Sequence, residues 1–159
     1  MKEMPLLSDL PSEKIFPIQI PTPFAVGDVY SYLVKDEKII LIDCGQREKR
    51  AYDRIGRSLK KMGLEIRDLD EIWLTHGHPD HFGQAARLAG ESGAVVLGHA
   101  KERANFACND DKKLFADFFD SHSIPEPLIE TMIGQLDWLQ QYQEALEPGW
   151  IECLIVGHG

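Results

Sequence analysis

The run Thr75-His76-Gly77-His78-Pro79-Asp80-His81-Phe82-Gly83 constrains this chain more than any other feature. Three imidazoles and a carboxylate fall within six consecutive positions, a concentration that is costly to bury without a cation to pair it. Imidazole and carboxylate donors together suit a borderline divalent metal such as zinc, at about 2.0–2.2 Å. Glu71-Ile72-Trp73-Leu74 before the run reads as a short buried strand. Gln84-Ala85-Ala86-Arg87-Leu88-Ala89 after it reads as a helix. The chain must therefore form a strand-loop-helix junction there, the place where α/β folds put their chemistry.

Spacing gives the local geometry. His76 and His78 are two apart, so in an extended backbone both rings project to one side. Gly77 between them brings no side chain and allows a tight turn. Pro79 stiffens the exit, and Asp80 and His81 then sit near the start of a helix. His76 and His78 can hold one metal while Asp80 and His81 face a neighbouring position. The competing reading is a solvated, His-rich turn without a ligand.

The chain has 159 residues, one domain's worth, with 43% hydrophobic and 27% charged residues. Its net charge of −9 argues against nucleic acid held on a basic surface. No apolar run approaches the ~20 residues of a membrane span. Met1-Lys2-Glu3-Met4-Pro5 has no signal-peptide core, which points to the cytoplasm. Cys44, Cys108 and Cys153 are scattered and form no CxxC pair, so reduced thiols are expected.

Residues 5–23 carry five prolines among apolar residues and read as an extended arm leading into an edge strand. Residues 29–34 and 38–42 flank Lys35-Asp36-Glu37 as a hairpin. From Arg47 to Met62, Ala51, Ile55, Leu59 and Met62 recur at helical spacing, with Gly63 as the C-terminal cap. Ala94-Val95-Val96-Leu97 reads as another strand, giving the order ββαβαβ. From Ala100 to Leu146 the pattern turns helical. One apolar face is Leu114, Phe115, Phe118 and Phe119. Another is Leu128, Met132, Leu136, Leu139, Tyr142 and Leu146, on a longer helix opening after Pro125 and Pro127. These faces either roof a site or pack on the sheet. His99 reads as a structural or pocket-lining residue, His122 as solvated surface, and the basic stretch from Arg47 to Lys61 as a solvated helix face.

His-x-His-x-Asp-His after a short strand, with Thr75 before it and Phe82-Gly83 after it, resembles the metallo-β-lactamase superfamily. Ile39-Ile40-Leu41-Ile42-Asp43-Cys44-Gly45 is similar to that family's apolar strand ending in Asp and Gly. The lead-in Leu69-Asp70-Glu71-Ile72-Trp73-Leu74-Thr75 is a third match. The resemblance runs from about Phe16 to the last residue and implies an α/β (α+β) fold, the N-terminal half of an αββα sandwich with a helical insertion at 100–146. On this reading residues 1–159 form one domain, truncated after the third-histidine strand. The family's two further ligands, a bridging aspartate and a final histidine, have no counterpart here. An uncovered apolar sheet face then points to a longer protein, to a homodimer whose copies cover each other, or to a degenerate protein.

The resemblance also assigns roles. The C-terminal strand ending in Gly157-His158 is similar to the family's third-histidine segment. His76, His78 and His158 would then make a three-histidine site, with Asp80 and His81 serving a second metal; the alternative is a frayed His158 that binds nothing. Asp43 would hydrogen-bond a ligating imidazole or the metal loop, rather than simply ending a strand. The implied cofactor is one or two zinc ions, with iron or manganese as substitutes. The implied activity is hydrolysis of a small ester, thioester or lactone by a metal-bound hydroxide, in the manner of glyoxalase II, with Asp80 orienting the nucleophile and accepting its proton if a second metal does not tie it up. The expected partner is a small-molecule substrate, with neither nucleic acid nor membrane. Two rival readings are a non-catalytic half-domain acting as a dimeric assembly module, and a mononuclear iron dioxygenase of the same superfamily.

Overall fold

The computed structural model describes residues 13–107, 125–146, 149 and 151–154. Its strands are β1 (Ile15–Ile20), β2 (Val29–Lys35), β3 (Ile39–Ile42), β4 (Glu71–Leu74), β5 (Val95–His99) and β6 (Ile151–Leu154). They form one mixed sheet in sequence order, β1-β2-β3-β4-β5-β6. The first three strands pair antiparallel and the last three join in parallel. Parallel neighbours need a crossover, and the helices α1 (Lys49–Lys61) and α3 (Ala85–Ser92) lie on those connections.

Period-two alternation decides which face is buried. Ile18, Ile20, Leu33, Leu41, Ile72, Leu74 and Val96 turn to one side and are at most 5% exposed. Against them pack Ala51, Ile55 and Leu59, spaced four apart on α1, and Ala85 and Leu88 on α3. Each fully buried aliphatic side chain contributes about 1.5–3 kcal/mol, so this layer dominates the fold's stability. Gly63 ends α1 with φ +74°, the left-handed conformation that the sequence reading required of a capping glycine. Lys60 and Lys61 in the last turn of α1 favour its negative dipole end.

Among the described residues, the opposite sheet face is only partly covered. Tyr32, Ile42, Trp73 and Leu97 align across β2 to β5 by register, and Tyr32 and Trp73 are 42% and 38% exposed. The strand Glu71–Leu74 is therefore half-buried rather than buried. Its residues 71 and 73 point away from the core, and the Trp73 indole N–H donates to Glu71 at 2.7 Å.

The structure differs from the sequence expectation in three further places. β1 lies inside the proline-rich stretch and is itself the edge strand. Pro17 pairs opposite Tyr32, where the missing N–H leaves only one side of an outermost strand without a donor. The helix after the histidine run divides into α2 (Pro79–Phe82) and α3 at Gln84, whose amide donates to the Gly45 carbonyl at 3.2 Å instead of continuing the helical ladder. The later helix, here α5 (Glu126–Gln140), stops before Tyr142 and Leu146, so these do not extend its face, and Leu128 is 56% exposed. Leu146 is instead buried by a return of the chain, its amide donating to the Phe106 carbonyl at 2.9 Å. Leu114, Phe115, Phe118, Phe119, His122 and His158 lie outside the described residues.

Candidate metal centre

β4 delivers the chain to Thr75, and the loop then runs past His76, Gly77 and His78 into α2, whose first turn carries Asp80 and His81. His78 sits at the N-cap with extended backbone, φ −83° and ψ 143°, and Pro79 occupies the first helical position. The ring nitrogens His76 Nε2 and His78 Nδ1 are 3.0 Å apart. The His81 Nε2 and an Asp80 carboxylate oxygen are separated by 3.6 Å. The His76 ring stands 4.2 Å from that of His81 and 4.5 Å from that of His78, centroid to centroid.

A single carboxylate organises these rings. Asp43 follows β3, is 6% exposed, and has φ +54°, a left-handed conformation that Asp tolerates better than most residues. One of its oxygens accepts the Thr75 amide at 2.9 Å. The other accepts the Thr75 hydroxyl and His81 Nδ1, both at 2.8 Å. Only the hydroxyl can donate in the Thr75–Asp43 pair, because an ionised carboxylate has no proton to give. Thr75 Oγ1 must then accept from His76 Nδ1, 3.0 Å away, which fixes the proton on that nitrogen. His76 thus carries its N–H at Nδ1 and leaves the Nε2 lone pair to the contact with His78 Nδ1, while His81 donates from Nδ1 to Asp43.

The two histidines titrate in opposite senses. Burial, reinforced by the neighbouring His81 and His78, pushes His76 below the ordinary imidazole value. The hydrogen bond to Asp43 raises His81 above it. A neutral His76 keeps its donor lone pair available near neutral pH.

A second carboxylate meets the loop from the far side of β5. A 3₁₀ turn (Ala100–Glu102) leads into α4 (Arg103–Phe106), and Glu102 Oε2 accepts from the Gly77 amide and from Asn105 Nδ2, both at 2.9 Å. The Asn105 bond, then the Gly77 amide, hold Glu102 below the usual carboxylate range. His99 caps the 3₁₀ turn by accepting the Lys101 amide at 3.2 Å, a structural task.

One donor pair, His76 and His78, has a spacing that suits a divalent metal. Tetrahedral zinc with Zn–N of about 2.0–2.1 Å sets two ligating nitrogens about 3.3 Å apart, near the spacing of His76 Nε2 and His78 Nδ1. Among the described residues, no three His, Cys, Asp or Glu side chains converge on one point. The structure brings His76, His78, Asp80, His81 and Asp43 together; His158 is outside the described residues. Sequence reasoning missed Thr75 as the tautomer relay, and it missed Glu102 and Asn105 altogether. The only trace of that last pair is an acid and an amide three apart on a helical turn.

Comparison with known proteins places the chain in a family. The chain is 38% identical over 137 residues to the probable metallo-hydrolase YqjP of Bacillus subtilis (strain 168), covering 86% of this chain and 35% of that protein. It is 37% identical over 84 residues to a hydroxyacylglutathione hydrolase of Albidiferax ferrireducens, covering 52% of this chain and 29% of that one. The chain thus spans about a third of the length of these curated relatives. A crystal structure of a metallo-beta-lactamase family protein from Thermus thermophilus shares its fold with a TM-score of 0.69 at 22% identity, over 86% of this chain and 45% of that chain. Residues 25–159 match the sequence pattern of the metallo-beta-lactamase superfamily, and the chain belongs to that superfamily.

Proposed function

We propose that the chain takes part in metal-dependent hydrolysis of a small ester, thioester or lactone. His76 and His78 would form one donor pair, Asp80 and His81 the other, with His158 as a further ligand. The observation that carries this reading is the pairing of His76 Nε2 with His78 Nδ1 at 3.0 Å while Asp43 and Thr75 hold the proton on the other nitrogen of His76. The relatives named as hydrolases support the reaction class, and the one named for hydroxyacylglutathione supports a thioester as substrate.

A divalent cation held there would supply Lewis acidity and lower the pKa of a nearby water towards neutrality. The chain's own residues do the rest. Asp43 orients the His81 ring, and through Thr75 it orients the His76 ring, so neither donor has to reorient when a ligand arrives. Asp80, on the first turn of α2, would orient the attacking water and accept its proton on a carboxylate oxygen when only the His76–His78 pair holds a metal. Pro79 and the α2 backbone keep that carboxylate beside His81.

The test is turnover of p-nitrophenyl acetate, S-lactoylglutathione and an acyl-homoserine lactone by zinc-loaded protein, beside a His76→Ala, His78→Ala double variant. Hydrolysis of at least one substrate that the double variant loses while keeping its fold supports the reading. Equal rates in the two proteins would sink it.

A further inference from the structure

We infer that Glu102 is a positioning residue for the His76–His78 pair, acting through the backbone of Gly77 with Asn105 as its brace; this rests on the metal-binding reading of those histidines. The two rings are presented from either side of a glycine, the residue with the widest backbone freedom and the largest entropy to lose on ordering. Asp43 and Thr75 fix the orientation of the His76 ring, but their hydrogen bonds go to Thr75, His76 and His81 and not to His78 or Gly77. The Gly77 amide, between the two donors, is tied to another element, and its acceptor is Glu102 Oε2 at 2.9 Å.

The clamp is itself held. Asn105 Nδ2 donates to the same oxygen at 2.9 Å, and the helical turn fixes the spacing of residues 102 and 105. α4 is anchored by Phe106, which is fully buried with its ring 5.5 Å from that of Phe82, and which fills the space beside Gly98 on β5. A Cβ placed on Gly77 would overlap the Asn105 Cβ, so the loop lies against this segment with no slack. Glu102 sits 25 residues from Gly77 in sequence. It joins the end of β5 to the loop after β4, two strands that are neighbours in the sheet.

Glutamine can still accept from the Gly77 amide and alanine cannot, so Glu102→Gln and Glu102→Ala separate the hydrogen bond from the charge. Three readings are taken on the full chain. Amide hydrogen exchange at Gly77 in metal-free protein reports the clamp alone. Zinc affinity by chelator competition and the visible spectrum of the cobalt(II)-loaded protein report the donor pair. Glu102→Ala is expected to speed Gly77 exchange at least about tenfold. Zinc affinity should fall about 10- to 100-fold, the usual effect of losing a group that orients a ligand, and the cobalt bands should shift. Glu102→Gln should recover most of each change.

Unchanged Gly77 exchange in Glu102→Ala, or faster exchange with wild-type zinc affinity and cobalt spectrum, overturns the inference. So does a Glu102→Gln variant as impaired as Glu102→Ala, which would assign the effect to charge. If Glu102→Ala does not fold, Asn105→Ala removes the brace from an exposed position and should give a smaller change in the same three readings; none would overturn the inference. If wild-type protein binds neither metal, the metal-site reading fails, and Gly77 exchange alone decides whether Glu102 holds the loop.

Discussion

Asp43 and Glu102 grip the same loop by different means. Asp43 is buried at the end of β3 and ties the loop's two ends together, taking the Thr75 amide, the Thr75 hydroxyl and the His81 ring. Glu102 is half-buried beyond β5 and takes the middle, through one backbone amide. The first acts on side chains and so sets tautomers; the second acts on the main chain and so sets position. A two-pair donor site built on a glycine-containing loop needs both kinds of hold, because fixing ring orientation does not fix where a flexible backbone puts the ring.

The difference in burial ranks the consequences. Asp43→Ala should be the most damaging change, leaving the Thr75 amide and hydroxyl and the His81 N–H without their acceptor. At about 1–3 kcal/mol for each unsatisfied buried group, partly relieved by water, a loss of about 2–4 kcal/mol is expected. Urea unfolding with an unchanged slope measures it, and a loss under about 1 kcal/mol would mean that the carboxylate is not organising the loop. Gly77→Ala comes next, at about 1–3 kcal/mol, because the new methyl meets Asn105. Asn105→Gly should return part of that loss in the double variant, giving a coupling of about 0.5–2 kcal/mol; strict additivity would separate the two residues. Glu102→Ala should cost least in stability, about 0.5–1.5 kcal/mol, since water can replace it at a half-exposed site.

How much of this could be read from the sequence follows the same division. The strands β2 to β5 are short apolar runs bounded by turn residues, α1 carries a near-four-fold apolar period, and the structure has all of them. β1 was obscured because Pro17 reads as an interruption, although an edge strand accepts it. The end of α5 was misplaced because Tyr142 and Leu146 keep helical spacing after the helix has stopped, and a tertiary contact with Phe106 draws Leu146 inward. The histidine loop could be named from local residue types, and Asp43 from the family resemblance of the strand that it ends. Glu102 could not, because it acts across 25 residues on a backbone group that leaves no mark in side-chain patterning.

The subtlest prediction concerns pH in the metal-free protein. The Asp43 hydrogen bond raises His81, so the stability this pair contributes is fully present below the ordinary imidazole value of 6.5 and is lost as pH rises through the raised value. Asp43→Asn keeps the shape and tolerates the left-handed backbone but removes the charge. The stability gap between wild type and Asp43→Asn should therefore be widest below pH 6.5 and narrow on the alkaline side. The lowered His76 is common to both proteins, and Asp43 opposes its lowering, so it adds to the gap in the same direction. A gap that widens with rising pH would mean that His81 is not the group Asp43 stabilises.

The central claim, that the His76–His81 segment holds a metal, is tested most directly by metal content. Protein stripped with a chelator, incubated with zinc and dialysed should retain about one or two ions per chain by elemental mass spectrometry. The His76→Ala, His78→Ala double variant, folded by circular dichroism, should retain fewer. Retention by the wild type that the double variant matches, or no retention by either, would contradict the account.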